Sequence, residues 1–170
     1  MKLKKGFTLI ELLVVIAIIG ILSTLAVVAL NTARQKSRDA KRVSDIKQIQ
    51  TALELFFGDK SNAYPSAAAA IVLGTGNQLC LDSTAAGFVA TCATPPTFMG
   101  QVPHDPQQPA TPVGDGSVQE YVYKINSAST SKFAIFFKLE GPTGDLAKGG
   151  NCATNNGISA AAAFVDCVLP

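Results

Sequence analysis

The chain changes its hydrophobic rhythm several times. Phe7 to Leu30 is apolar almost throughout and holds one ionisable side chain, Glu11. A helix rises about 1.5 Å per residue and a bilayer core is about 30 Å thick, so about 20 such residues suffice to cross it. This stretch predicts a transmembrane helix. From Asn31 to Phe57 there is no Pro or Gly, and Val43, Ile46, Ile49 or Gln50, Leu53, Phe56 and Phe57 recur three or four apart. That is the spacing of one helix face. Arg34, Lys36, Arg38, Asp39, Lys41, Arg42, Asp45 and Lys47 fill the other directions, with Arg38 and Arg42, or Lys41 and Asp45, one turn apart. They read as a solvated face that is also open to contact between subunits. A single helix over 7–57 would be about 77 Å long. Its weak point is Gly20, since Gly is about 1 kcal/mol less favourable than Ala inside a helix.

Gly58-Asp59 stops the helical pattern, and the turn residues up to Tyr64-Pro65 follow. Ser66 to Val118 is rich in Ala, Gly, Thr and Pro and reads as a variable connecting segment with at most short helices. Alternation then appears. Tyr121, Tyr123 and Ile125 share one face of a strand over 119–125, and Phe133, Ile135, Phe137 and Leu139 share one face of a second over 132–139. Asn126 to Ser131 would be the polar hairpin loop, and Phe164 to Leu169 an edge strand. The expected fold is α+β: a long N-terminal helix, half transmembrane and half amphipathic, packed on a small antiparallel sheet. The head spans 58–170, with its sheet and a C-terminal loop in 119–170.

Charge sharpens this division. The net charge of +2 is the sum of +2 over residues 1–30, +3 over 31–57 and −3 over 58–170. No basic field arises that would indicate nucleic acid. Cys80, Cys92, Cys152 and Cys167 allow three connectivities, and sequence alone does not select among them. The local pairs Cys80–Cys92 and Cys152–Cys167 are favoured. Closing loops of that size is worth about 3 kcal/mol in the chain-entropy model. The spacings match no zinc motif, and His104 is the sole His. His104 lies in Val-Pro-His-Asp-Pro, a turn-like context without a nucleophile beside it, so no catalytic residue is assigned. Gly74-Thr-Gly76 lacks the third Gly of a nucleotide loop. Asp115 and Asp145 lie in Gly-containing loops without EF-hand spacing. No cofactor is expected, with calcium the one ion to consider.

The switch from Lys-Lys-Gly to Phe-Thr-Leu-Ile-Glu is the most specific feature. A basic leader, Gly6, Phe7 and Glu11 ahead of an apolar helix resemble the signal of type IV prepilins and type II secretion pseudopilins. The likeness covers the first quarter of the chain closely and the rest in outline, including Val102 to Pro106 and Tyr121 to Tyr123. It implies that a prepilin peptidase removes residues 1–6 by cutting between Gly6 and Phe7 and methylates the Phe7 amine. It further implies that Glu11 neutralises the Phe7 amine of a neighbouring subunit during assembly. The physics agrees, because an amine and a carboxylate in hydrocarbon are each costly alone and much less so when paired. Many family members carry a Pro where this chain has Val28. Some related pseudopilins bind calcium in their heads.

The implied function is that of a structural subunit, not an enzyme, which polymerises through its N-terminal helix into a pilus or a secretion or competence pseudopilus. Its partners would be itself and other pilins or pseudopilins, the peptidase, an assembly platform in the inner membrane, and membrane lipid before assembly. The exported head would end on the cell surface or in the periplasm. Counting basic residues alone puts the segment after the span in the cytoplasm; the Gly6–Phe7 site and the distal cysteines favour export. A secreted enzyme would need a polar constellation that this sequence does not show, and two further alternatives compete. One is a singly anchored, exported binding protein that stays monomeric, which needs no Phe7–Glu11 pair. The other is an ordinary secretory signal cut near Ala29, whose apolar run of 7–15 residues is shorter than this one.

Overall fold

The computed structural model describes residues 6–67, 69–107, 120–126, 129–161 and 167. The expected edge strand over Phe164 to Leu169 lies, apart from Cys167, outside the described residues. The chain forms two compact units, Met1–Ser37 and Arg38–Pro170. The helix α1, Leu9–Asp59, runs through both and is hydrogen-bonded across Gly20 and Val28.

In the N-terminal unit the helix is apolar and uncovered. Phe7 is 78% exposed and Leu25 64%, and α1 is long and apolar enough to cross a membrane. Its few hydroxyls turn inward. Ser23 donates to the carbonyl of Ile19 at 2.7 Å, Thr24 to that of Ile21 at 2.8 Å and Thr32 to that of Val28 at 3.1 Å. A hydroxyl bonded to its own helix presents less unpaired polarity to an apolar surrounding.

In the head, the α1 stripe packs on a five-stranded antiparallel sheet. The strands are β1 (Ile71–Val72), β5 (Val122–Asn126), β6 (Ser129–Leu139), β7 (Gly149–Thr154) and β8 (Gly157–Ala160), ordered β1-β5-β6-β7-β8. Ile46, Ile49, Leu53 and Phe56 from the helix join Tyr121, just ahead of β5, and Tyr123, Ile125, Phe133, Ile135, Phe137 and Leu139 from the sheet in one buried cluster. Ile49, not Gln50, takes the core position. Gln50 sits at the edge and its side-chain amide donates to the carbonyl of Thr154 at 2.9 Å. The opposite face of the sheet carries a second cluster of Val122, Ala134, Phe136, Cys152 and Cys167. Central strand β6 is thus buried on both faces, which explains its unbroken apolar run Phe133 to Phe137.

Three expectations need correction. The helix ends at Asp59, where Ser61 and Asn62 take positive φ values of 51° and 66°. The hairpin loop is shorter than Asn126 to Ser131: β6 already begins at Ser129, and a register shift between Ile125 and Asn126 absorbs the extra length. The connecting segment holds short strands in place of short helices. These are β1 and a separate three-stranded sheet of β2 (Cys80–Asp82), β3 (Phe88–Val89) and β4 (Thr97–Met99), ordered β3-β2-β4. Leu81 and Phe88 from this small sheet reach the main core. Gly87, at φ 68°, makes the turn before β3, and a Cβ there would lie 2.5 Å from Pro65.

Candidate assembly site and the buried charge cluster

The chain enters α1 through a reciprocal cap. Thr8 precedes the first helical residue, Leu9. Its hydroxyl donates to Oε2 of Glu11 at 2.7 Å, its backbone N–H donates to the same oxygen at 2.8 Å, and the N–H of Glu11 donates to Thr8 Oγ1 at 3.3 Å. This is a capping box, in which the residue before the helix and the third residue inside it satisfy each other's orphaned N–H groups. The Glu11 carboxylate also sits at the positive end of the helix dipole. Sequence reasoning paired Glu11 with another subunit and passed over Thr8. The signal that finds it is Thr-x-x-Glu immediately before an apolar run. Gly6 and Phe7 lie ahead of the first helical residue and are exposed, so the Gly6–Phe7 peptide is in non-helical chain.

The head contains a second constellation that the sequence reading placed in solvent. Asp39, Arg42 and Asp45 are buried, with Arg42 0% exposed. Arg42 Nε donates to Asp105 at 2.6 Å, and its Nη1 donates to Asp39 and to Glu140, each at 2.7 Å. Arg38 grips both oxygens of Glu140, at 2.7 and 2.5 Å. Asp39 in turn accepts the backbone N–H groups of Glu140 and Gly141, each at 2.9 Å. Little more than one turn of helix, Arg38 to Arg42, is thereby fastened to the 103–107 segment and to the residues just after β6. Burial opposes the charge on Arg42, but its bonds to Asp105, Glu140 and Asp39 outweigh that and raise its pKa above the ordinary arginine value. The Arg38 hydrogen bond, helped by Arg42, holds Glu140 down at about 2. Asp45 accepts the Tyr121 hydroxyl at 3.0 Å. Burial pushes the Asp45 carboxyl up, against the pull of that hydroxyl and of Lys41.

The other named residues are placed as follows. Cys80 is joined to Cys92 and Cys152 to Cys167, each with Cα atoms 5.7 Å apart. His104 is exposed on the rim of a cleft of about 500 Å³ whose walls include Cys80, Cys92 and Val102. Among the described residues that line the cleft there is no Asp, Glu, Lys or Arg beside it. Asp145 is exposed in the turn where Thr143 pairs with Leu146, and Asp115 lies outside the described residues. Among the described residues no group of three or more His, Cys, Asp or Glu is placed to hold a metal ion.

The model of the prokaryotic N-terminal methylation motif matches residues 1–27. The chain carries a prokaryotic N-terminal methylation motif. Type II secretion system core protein G of Pectobacterium carotovorum subsp. carotovorum is 43% identical over 63 residues, which is 37% of this chain and 40% of that protein. Its counterpart in Aeromonas hydrophila is also 43% identical over 63 residues, 37% of this chain and 43% of that protein. A fimbrial protein of Pseudomonas aeruginosa is 43% identical over 54 residues, 32% of this chain and 35% of that protein. The chain thus spans about two fifths of the length of the curated relatives it matches. No solved structure matches it. The pilin-like architecture of a long apolar helix on antiparallel sheets therefore rests on the fold itself.

Proposed function

We propose that the chain is a pilin or pseudopilin, a structural subunit that polymerises through its N-terminal helix into a type IV pilus or a secretion or competence pseudopilus. The apolar half of α1 holds the precursor in the inner membrane with the head exported. Prepilin peptidase cuts between Gly6 and Phe7 and methylates Phe7. Subunits then leave the lipid and pack their helices against one another on the assembly platform. The observation that carries this reading is the conjunction of an uncovered apolar helix with a carboxylate in its first turn, four residues beyond a Gly–Phe bond in non-helical chain. A bare anchor requires the helix alone.

The capping box adds a step. While the leader is attached, Phe7 has an amide and no charge to offer, so Thr8 is the group that satisfies Glu11. Cleavage creates the amine that Glu11 of a neighbour can neutralise. Two substitutions separate the two roles. Glu11→Gln keeps a side chain able to cap and removes the charge; Glu11→Ala removes both. Both variants are expected to be processed and retained in the membrane in normal amounts, while shearing releases little or no filament. Wild-type filament yield from Glu11→Gln would show that the charge is dispensable and would overturn the pairing of Glu11 with a neighbour's Phe7 amine, whereas absence of filament from the wild-type chain would leave a monomeric, membrane-anchored binding protein as the better reading. Intact mass of the mature chain checks the processing, and retention of Met1 to Gly6 would overturn it.

A further inference from the structure

Two cations follow the apolar stretch with no anion of their own. Arg34 and Lys36 are exposed, and among the described residues neither stands in an ion pair. The segment Asn31 to Ser37 contains no Asp or Glu. Arg38 and Arg42 differ, being bound to Glu140, Asp39 and Asp105 within the head. At about 1.5 Å per residue, Arg34 and Lys36 stand about 6 and 9 Å along the helix beyond Leu30. The polar layer of one leaflet is about 5 to 8 Å deep, by difference between a whole bilayer and its core. Both side chains are long enough to lean back toward the apolar boundary while keeping their charge in the polar layer. Arg34 brings a planar fork that matches phosphate oxygens.

We propose that Arg34 and Lys36 bind the phosphates of anionic phospholipids, so that the unassembled subunit gathers anionic lipid around the outer end of its span. The proposal rests on the membrane-anchored reading above. Phosphate of the surrounding leaflet is the occupant favoured here, because the two cations fall at headgroup depth. A carboxylate on a second copy is the competitor.

The test is native mass spectrometry of the full chain released from bilayer discs made of equal parts phosphatidylglycerol and phosphatidylcholine. Each cation is expected to favour the anionic lipid roughly fivefold, and the pair roughly thirtyfold at low salt. Arg34→Gln with Lys36→Gln should bring the retained lipids close to parity, while Lys47→Gln, an exposed position in the head, should leave the preference intact. Equal retention of the two lipids by the wild-type chain would overturn the proposal, as would a preference that survives the double substitution. Loss of filaments in the double variant without any lipid preference in the wild type would assign the cations to a neighbouring subunit and equally overturn it. Failure of the wild-type chain to enter the discs would overturn the membrane reading itself, a result distinct from entry without preference.

Discussion

Replacing Arg42 by Met should be the most damaging single change in the head. The guanidinium is fully buried and bonded to three carboxylates, Asp39, Asp105 and Glu140, at 2.7, 2.6 and 2.7 Å. Met fills a comparable volume, so the loss is mainly of charge and hydrogen bonds. Arg38 can still serve Glu140, but Asp39 and Asp105 would keep about 1% exposure without their cation. Removing one partner of a buried ion pair costs about 3–5 kcal/mol, out of about 5–15 kcal/mol for a whole domain. For a head of this size the melting temperature should fall by roughly 12–20 °C, at about 4 °C per kcal/mol. The chain has no Trp, so near-ultraviolet circular dichroism of its tyrosines in detergent is a suitable probe. Adding Asp105→Asn to Arg42→Met should recover part of the loss, because it removes one of the stranded carboxylates; groups in one network couple by about 0.5–3 kcal/mol. A loss below about 1 kcal/mol for Arg42→Met, or strict additivity in the double variant, would refute the reasoning.

Glu140 predicts acid sensitivity. Its pKa is about 2 in the folded head against an ordinary 4.5, so its contribution is complete above about pH 4.5 and is lost as pH falls from there toward 2, as a pH series of melts on wild type and Glu140→Gln would show. Asp45 has the opposite sign: its pKa is raised by burial, so its ionised form costs stability at neutral pH, and Asp45→Asn, which can still accept from Tyr121, should match or exceed wild-type stability there. Thr8→Val should leave Glu11 its charge but break the cap, loosening the first turn by about 1 kcal/mol, visible as faster amide exchange at residues 9–12. Gly150→Ala should destabilise the sheet by more than about 1 kcal/mol, since the added Cβ would run into the carbonyl of Ala161 and the Phe136 ring; a neutral result in thermal unfolding would contradict that packing.

The long-range order of the head was unevenly legible in the sequence. Ile46, Leu53 and Phe56 on the helix, and the alternations at Tyr121, Tyr123 and Ile125 and at Phe133, Ile135, Phe137 and Leu139, all enter the larger core cluster. Their periodicities are long enough to be unambiguous. Strand β7, Gly-Gly-Asn-Cys-Ala-Thr, carries little strand propensity of its own and forms because it pairs with the central β6 from Ala134 to Leu139. β1 and β3 are only two residues long, too short for any alternation to show. Arg42 read as a surface residue because its neighbours in sequence gave no reason to bury it. Two of its partners, Asp105 and Glu140, are 63 and 98 residues away. The Thr8 cap was legible as Thr-x-x-Glu at the head of an apolar run.

If the chain assembles as proposed, the cap also bears on how a subunit changes partners. Both Thr8 bonds converge on Oε2 of Glu11, while a carboxylate has two oxygens and about four lone-pair sites. An amine arriving from a neighbouring subunit can therefore approach Oε1 while Thr8 holds Oε2. The carboxylate need not pass through an uncovered state in the hydrocarbon between one partner and the next. On the assembly reading, the transfer from lipid to fibre is a handover in which the old grip is kept until the new one closes, and its barrier contains no separate penalty for stripping a bare anion.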